Sequence, residues 1–390
     1  MQQTMEQTQT RETTQTYLDN SATTRVCTEA AQAALRAMTE EYGNPSSLHS
    51  MGMEAEKLVT QARKSLVKLL GGNGELVFTS GATESNNLAL FGAAEAGKRR
   101  GNRIVISAVE HPSVAETALA LEKQGFSVIR IPPRPDGNFC AEDFTAAVDD
   151  QTILLSCMMV NNETGARLPV EKIADATKRI NPDTIIHIDA VQAFGKIPFS
   201  ADKAGFDLVS ISGHKIYAPK GVGGLYIRKG IRILPRTYGG GQERGLRPGT
   251  ESVPLIAAFA AAAECCHSEM QKKNAEYEML NRMLRERLKD MPAICINSPE
   301  GAVPYILNLS VSGIRSEIML HYLEQAGIYV SSGSACSKGA ASPVLTAMNL
   351  PRDRADSALR ISFGRYNIPA DICRLTERLE EGITRLAKRR

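Results

Sequence analysis

Two strand-like runs end on groups that can do chemistry together. Asp207-Leu-Val-Ser-Ile-Ser-Gly-His-Lys215 closes on a lysine, and Ile185-Ile-His-Ile-Asp189 closes on an aspartate. An amine that can form an imine, and a carboxylate that keeps a pyridine nitrogen protonated, are what pyridoxal phosphate asks of a protein if its ring is to accept electrons from a substrate carbanion. In an open α/β sheet, ligands bind outside the carboxyl ends of the strands, so groups from distant parts of the chain reach one cleft there. Most lysines and aspartates are solvated surface charges, so this pairing takes its meaning from its neighbours.

Leu76-Val-Phe-Thr-Ser-Gly-Ala-Thr83-Glu-Ser-Asn-Asn-Leu-Ala-Leu90 passes from a strand through small residues into a helix. It reads as a phosphate cup: Gly81 and Ala82 let the backbone approach, the first helical N–H groups face the anion, and the Thr83 hydroxyl adds a donor. An ordinary capped turn carries the same signature. Ser212 and His214 supply further donors beside Lys215, and His111, in Val109-Glu-His-Pro-Ser-Val114, follows another strand-like run. Its ring could stack on a flat cofactor and move protons near neutral pH, although a lone histidine after a strand is more often structural. Asn162 and Gln192 are neutral amides near two further strand ends, suited to a ring hydroxyl or a substrate, or equally to turns and caps.

Cys336 stands among small residues in Ser331-Ser-Gly-Ser-Ala-Cys-Ser-Lys-Gly-Ala-Ala341. A mobile, accessible thiol suits sulfur chemistry; a free surface cysteine in a loop is the plain alternative. The other seven cysteines read mostly as small core residues. Cys265-Cys-His267 is no metal set, because adjacent helical residues face different ways, and no metal is expected. Arg360, within the apolar run Ser357-Ala-Leu-Arg-Ile-Ser362, needs a partner: a substrate carboxylate or an internal Asp or Glu. The loop Gly239-Gly-Gly-Gln-Glu-Arg-Gly-Leu-Arg-Pro-Gly-Thr250 could hold an anion on its backbone.

These groups must be carried by regular elements. Helical patterns run from after Thr24 to about Glu41 and from Glu54 to Leu70. Strand-like runs then alternate with helical stretches: Glu75–Thr79, Arg103–Ala108, Ser127–Ile131, Thr152–Val160, Thr184–Asp189, Leu208–Ser212 and Gly223–Arg228. That rhythm predicts an α/β fold with a mainly parallel, helix-covered sheet. A charged amphipathic helix over Cys265–Met291 leads into a smaller α+β region: strand Tyr305–Val311, helix Ser316–Ala326, strand Tyr329–Ser332, a long loop, strand Ala358–Ser362 and a helix from Pro369. The expected organisation is a disordered Gln/Thr-rich tail over 1–16, a large cofactor-binding domain over 17–260 whose first part can pack on the small one, and a small C-terminal domain over 261–390 carrying the cysteine loop.

Composition narrows the function classes. A net charge of +3, from 46 basic and 43 acidic residues, argues against bulk electrostatic binding of nucleic acid or membranes. Absent Trp and 5% aromatics disfavour a base-stacking surface. The longest apolar run, Leu255 to Ala263, is far short of the roughly 20 residues that cross a bilayer, and the N-terminus lacks a signal-type apolar stretch. The cysteines are read as reduced thiols of a cytoplasmic protein.

Together the motifs resemble the cysteine desulfurases, the NifS/IscS-like branch of the class V aminotransferase superfamily with pyridoxal phosphate fold type I. Tyr17-Leu-Asp-Asn-Ser-Ala-Thr-Thr24, Tyr42-Gly-Asn-Pro-Ser-Ser47, Thr79-Ser-Gly-Ala-Thr-Glu-Ser-Asn-Asn87, Glu110-His-Pro-Ser-Val114, Ser212-Gly-His-Lys-Ile-Tyr217 and Ser332-Gly-Ser-Ala-Cys336 occur in the family's order. The resemblance implies a large domain with a seven-stranded sheet. It implies that Lys215 tethers the cofactor and shuttles the α-proton, that Asp189 pairs with the pyridine nitrogen, and that His111 stacks on the ring. Gln192 and Asn162 would bind the ring hydroxyl. Gly81, Ala82, Thr83, Ser212 and His214 would bind phosphate, with Thr250 reaching that of a second subunit in a homodimer. Asn44, Asn162 and Arg360 would bind L-cysteine. Cys336 would take the substrate sulfur as a persulfide, releasing alanine, and pass it to an acceptor such as an iron–sulfur scaffold or a tRNA-thiolation protein. The alternatives are a selenocysteine lyase or related aminotransferase using the same lysine, and a non-catalytic sulfur carrier on the same fold. Ala218 departs from the family, where Gly commonly follows the lysine motif; Ala tolerates positive φ less well.

Overall fold

The computed structural model describes residues 15–332 and 342–387. In chain order the first elements are β1 (Thr16–Tyr17), α1 (Thr28–Thr39), α2 (Ser50–Leu69), β2 (Glu75–Thr79), α3 (Ala82–Gly97), β3 (Arg103–Ser107), α4 (Pro112–Glu122) and β4 (Ser127–Ile131). There follow α5 (Ala141–Thr145), β5 (Thr152–Met158), α6 (Val170–Ile180), β6 (Ile185–Asp189), β7 (Leu208–Ser212), β8 (Gly223–Ile227) and α7 (Val253–Leu288). The chain closes with β9 (Ile294–Ile296), β10 (Ile306–Val311), α8 (Ser316–Glu324), β11 (Ile328–Tyr329), β12 (Ser331–Ser332), α9 (Pro343–Ala347), α10 (Arg352–Asp356), β13 (Ala358–Ser362) and α11 (Pro369–Ala387).

Seven strands form one sheet in the order β2-β8-β7-β6-β5-β3-β4, parallel throughout except β8. Burial explains the composition of its centre. Every residue of β5, β6 and β7 is buried, as helices on both faces require, so these strands read as continuous apolar runs rather than alternating ones. His187, in the middle of β6, is accommodated as a neutral side chain between Ser156 Oγ (2.8 Å) and Ser210 Oγ (2.9 Å); burial pushes its pKa down to about 3. The covering helices show the matching stripe: α6 buries Val170, Ile173, Ala174 and Thr177 at helical spacing.

A second, antiparallel sheet has the order β12-β13-β10-β9. The chain's beginning joins it. Thr16 and Tyr17 pair with Ile328 and Tyr329, and Asp19 bridges Ser362. Thr16, placed at the end of the expected tail, is therefore a fully buried strand residue.

Three further expectations are corrected. The charged helix starts at Val253, twelve residues before its expected beginning, and residue 260 lies inside it. Its first half is alanine-rich and buried, so it lacks the polar stripe that marks the later half. At about 54 Å it runs from α1 and α2 to α11. The run Tyr329–Ser332 is two strands in different sheets, and short helices α9 and α10 occupy the stretch expected as loop. No helix among the described residues is long and apolar enough to cross a membrane.

Candidate active site

The carboxyl ends of β2, β3, β5, β6 and β7 lie along one edge of the large sheet, and the sequence motifs follow them directly. After β7 a 3-10 turn, Gly213–Lys215, presents Lys215, whose Nζ donates to the carbonyl oxygens of Ser21 and Ala22 at 2.6 Å each. The turn is held by a left-handed residue, but not at the position of the missing glycine. Tyr217 has φ +68°, while Ala218 has no positive φ. Tyr217 is buried, its N–H donates to Thr24 Oγ1 (2.8 Å) and its carbonyl accepts from Cys27 N–H (2.9 Å), contacts that hold this strained backbone in place.

Asp189, at the end of β6, is 6% exposed. Its Oδ2 accepts from Asn86 Nδ2 (2.8 Å) and its Oδ1 from Val191 N–H (3.0 Å). Asn86 Nδ2 also donates to Ser113 Oγ (2.8 Å), which contacts His111 Nδ1 at 2.8 Å. A polar chain thus runs from Asp189 through Asn86 and Ser113 to His111. His111 caps α4 by accepting from Ser113 N–H (3.1 Å) on Nδ1, which places the proton of the neutral ring on Nε2. Burial lowers the His111 pKa; Asp189 pulls it up, and Lys215 pushes it down again. His111 is therefore within electrostatic reach of both Asp189 and Lys215.

The turn after β2 has the shape of a cradle. Gly81, the N-cap of α3, has φ +155° and ψ 177°, a conformation that glycine alone adopts readily. A Cβ there would meet nothing within 4 Å, whereas one at the facing Gly223 would lie 2.7 Å from Gly81 Cα. First-turn N–H groups of α3 have no intrahelical acceptor. Glu84 nearby is held below the usual carboxylate range: burial raises it, but bonds from Ser80 and Arg247 outweigh that. Thr83 is exposed, Ser212 is buried, and His214 contacts Thr23 Oγ1 at 3.2 Å. Burial, then Lys215, push His214 down to about 4, so it is neutral.

Arg360 comes from the other sheet. It is buried in β13 beside Asn308 and Ser331. Of its two expected kinds of partner, the structure contains the internal one: Nη2 lies 2.7 Å from Asp19 Oδ1, and Nη1 donates to the Asn162 carbonyl at 3.1 Å. Gln192 is also engaged at both ends, donating to Ser21 O (3.0 Å) and accepting from Lys196 Nζ (3.1 Å). Residues 19–24 therefore form a strap that touches Arg360, Gln192, His214 and Lys215.

Asn44 and Thr250 are exposed, and the Asn44 side chain accepts from Ser46 N–H in its own turn. The glycine-rich loop is pinned by Glu243, which accepts from Arg63 (2.6 and 2.9 Å) and Phe78 N–H (3.1 Å). Cys336 lies outside the described residues. The described neighbours of its segment are Ser331, paired with Arg360, and Ser342, whose hydroxyl donates to Glu163. Of the seven described cysteines, all unpaired thiols, only Cys27, Cys157 and Cys266 are buried, fewer than expected; Cys295 is exposed on the edge strand β9.

Sequence reasoning passed over Asn86, Asp19 and Glu110. Asn86 had a signal, a polar residue opening the apolar run of α3. Glu110 is 6% exposed, accepts from Ser107 Oγ and from Met158 N–H (2.8 Å) on Oε1, and leaves Oε2 buried without a partner among the described residues. Burial, reinforced by Asp189, pushes its pKa up to about 8, so it is protonated at neutral pH.

The model of the aminotransferase class-V family matches residues 16–375. This chain belongs to that family. Within it, the chain is similar to Cysteine desulfurase IscS 1 of Archaeoglobus fulgidus, 40% identical over 374 residues that cover 95% of this chain and 97% of the relative. Among solved structures, a NifS-like protein superposes with a TM-score of 0.90 at 39% identity, covering 95% of this chain and 99% of that one. SspA in complex with cysteine superposes with a TM-score of 0.79 at 31% identity, covering 90% and 100%. The family fold accounts for the large mainly parallel sheet and the smaller antiparallel one.

Proposed function

We propose that this class-V family member is a cysteine desulfurase that uses pyridoxal phosphate to convert L-cysteine and the Cys336 thiol into L-alanine and a Cys336 persulfide. The observation that carries the reading is the convergence of Lys215, Asp189 and His111 on one sheet edge, with Arg360 brought to the same strap from the second sheet, in a chain 40% identical to a named desulfurase.

The residues fit the cofactor. A buried carboxylate bonded by neutral donors suits a protonated pyridine nitrogen, and the glycine cradle ahead of α3 suits a phosphate. Asn86 Oδ1, buried without a partner among the described residues, lies beside Asp189. When bound, pyridoxal phosphate supplies an electron sink for the pair left at the substrate Cα. Lys215 would hold it covalently, and its amine would carry the substrate α-proton. His111, neutral and protonated on Nε2, would lie against the ring and assist proton movement at the sulfur. Asp189 would hold the pyridine proton, Gln192 and Asn162 would serve the ring hydroxyl, and Arg360 would bind the substrate carboxylate with Asn162 and Asn44. Cys336 then attacks the substrate sulfur as thiolate: the C–S bond breaks, an S–S bond forms, and a proton replaces sulfur on carbon.

The same reading includes a homodimer, in which Thr250 serves the second subunit; exposed Leu35, Met38, Tyr42 and Leu48 supply an apolar surface for it. It further includes a sulfur acceptor such as an iron–sulfur scaffold, a cytoplasmic location in keeping with unpaired thiols, and two domains divided near residue 260. The deciding experiment incubates the holoenzyme with L-cysteine and measures alanine and sulfide together. Wild type yields both, Cys336→Ser keeps the cofactor absorbance but transfers no sulfur, and Lys215→Ala yields neither. Undiminished turnover in Cys336→Ser would remove that residue as nucleophile, and alanine formation only from selenocysteine would favour the lyase.

A further inference from the structure

Arg360, whose proposed ligand is a substrate carboxylate, already holds a carboxylate of this chain. Its ion pair with Asp19 is 2.7 Å long, with side chains 8% and 21% exposed. Asp19 is firmly placed. It bridges Ser362 through the backbone, and its carbonyl accepts from Ala22 N–H (3.0 Å) and Thr23 N–H (3.4 Å). The residues that follow it, Ser21 and Ala22, hold Lys215 Nζ. An anion and a cation therefore stand side by side next to the group the substrate must reach. Arg360 keeps donors beyond those in use: its Nε–H is buried with no acceptor among the described residues.

The surrounding charges sharpen the picture. Glu163, the next carboxylate in the electrostatic reach of Arg360, makes no ion pair with it; it accepts from Ser342, and burial pushes it up to about 7 although Arg360 draws it down. Lys196 lies in reach of both Arg360 and Lys215, and burial with Lys215 brings it down to about 7. Asp19 is thus the carboxylate that pairs directly with Arg360, at 2.7 Å, among several basic groups.

An α-amino acid is a zwitterion whose ammonium and carboxylate share one carbon, the same pairing of charges that Asp19 and Arg360 present. We propose that Asp19 is a specificity-determining residue: it receives the α-ammonium of the incoming amino acid while Arg360 takes the carboxylate, so thiol acids lacking the amine are rejected. A ligand with a carboxylate alone would set its charge beside that of Asp19 with nothing to offset the repulsion, which is discrimination by an unfavourable contact as well as a favourable one. This inference rests on the proposed function for the identity of the substrate, L-cysteine.

The test compares L-cysteine with 3-mercaptopropionate, which is cysteine without its amino group, on holoenzyme carrying Asp19, Asp19→Asn or Asp19→Glu. The readouts are KM for L-cysteine, Ki for 3-mercaptopropionate, and the ligand-induced rise in unfolding temperature, which needs no turnover. Asp19→Asn is expected to raise KM and lower Ki, each by about tenfold, collapsing the discrimination by about a hundredfold. Asp19→Glu restores the wild-type ratio to within a few-fold. A merely structural role would move both constants in the same direction, so a ratio unchanged to within about threefold in Asp19→Asn overturns the proposal. Asp19→Ser replaces Asp19→Asn if the latter does not fold. If wild type releases no alanine, the desulfurase reading fails, and the unfolding shifts with L-alanine against propionate still decide whether Asp19 selects the amine.

Discussion

The two sheets each send charged groups towards the strap at residues 19–24, and they settle those charges differently. On the large sheet, Asp189 is met by neutral donors, the Asn86 amide and the Val191 N–H. Neutral donors leave the charge of a carboxylate uncancelled, which suits the partner proposed for it, a protonated ring nitrogen. On the small sheet, Arg360 is met by the opposite charge of Asp19. An ion pair can be exchanged for another carboxylate and ammonium, whereas a set of backbone and amide donors is fixed by the fold. Under the proposed function, the first arrangement suits a resident cofactor and the second a substrate exchanged at each turnover.

Substitutions can break this contrast in order of expected size. Lys215→Ala should abolish alanine release from L-cysteine, by roughly a thousandfold or more, with a cooperative unfolding transition retained because the strap keeps its contacts to Arg360, Gln192 and His214. Assays of alanine with a thermal melt check both halves. Asn86→Ala strikes the fixed side. Removing a bond to a charged group costs about 1.5–3 kcal/mol, so affinity for pyridoxal phosphate by equilibrium dialysis should fall roughly tenfold to a hundredfold, while apoenzyme folding measured by circular dichroism persists. Arg360→Lys strikes the exchangeable side; losing the planar fork should raise KM for L-cysteine about tenfold and leave kcat within a few-fold, as steady-state kinetics would show.

The smallest effect concerns Glu110. Its ordinary value is 4.5 and its folded value about 8, so the folded protein keeps a proton that the unfolded chain releases between those limits. The resulting stability is full below pH 4.5 and is lost as pH rises to about 8. Glu110→Gln keeps an acceptor for Ser107 and Met158 but cannot ionise. Between about pH 5 and about pH 9 its unfolding temperature should therefore fall less than that of wild type, by roughly 2–5 °C in a calorimetric comparison. An equal fall in both proteins would mean that Glu110 does not carry a raised pKa.

The strand-end placement of Lys215, Asp189 and His111 was legible because such motifs are local: a buried run ends, and the polar group stands on its last residue or within four residues of it. The Arg360 partner was not legible, since Asp19 lies 341 residues away and nothing local distinguishes it from a surface aspartate. The first half of α7 was missed for a related reason: a helix buried on all sides lacks the polar stripe by which helices are read.

Residue types and their periodicity by themselves determined the alternation of strands and helices, the strand ends at which reactive groups stand, and the need of a buried arginine for a partner, because these follow from short-range sterics and burial. Only the tertiary structure decided which partner Arg360 has, which amide steadies Asp189, and that the opening segment of the chain crosses over the lysine. Those choices depend on contacts between residues far apart in sequence, where desolvated charges and donors must be satisfied by whatever the packed fold brings alongside.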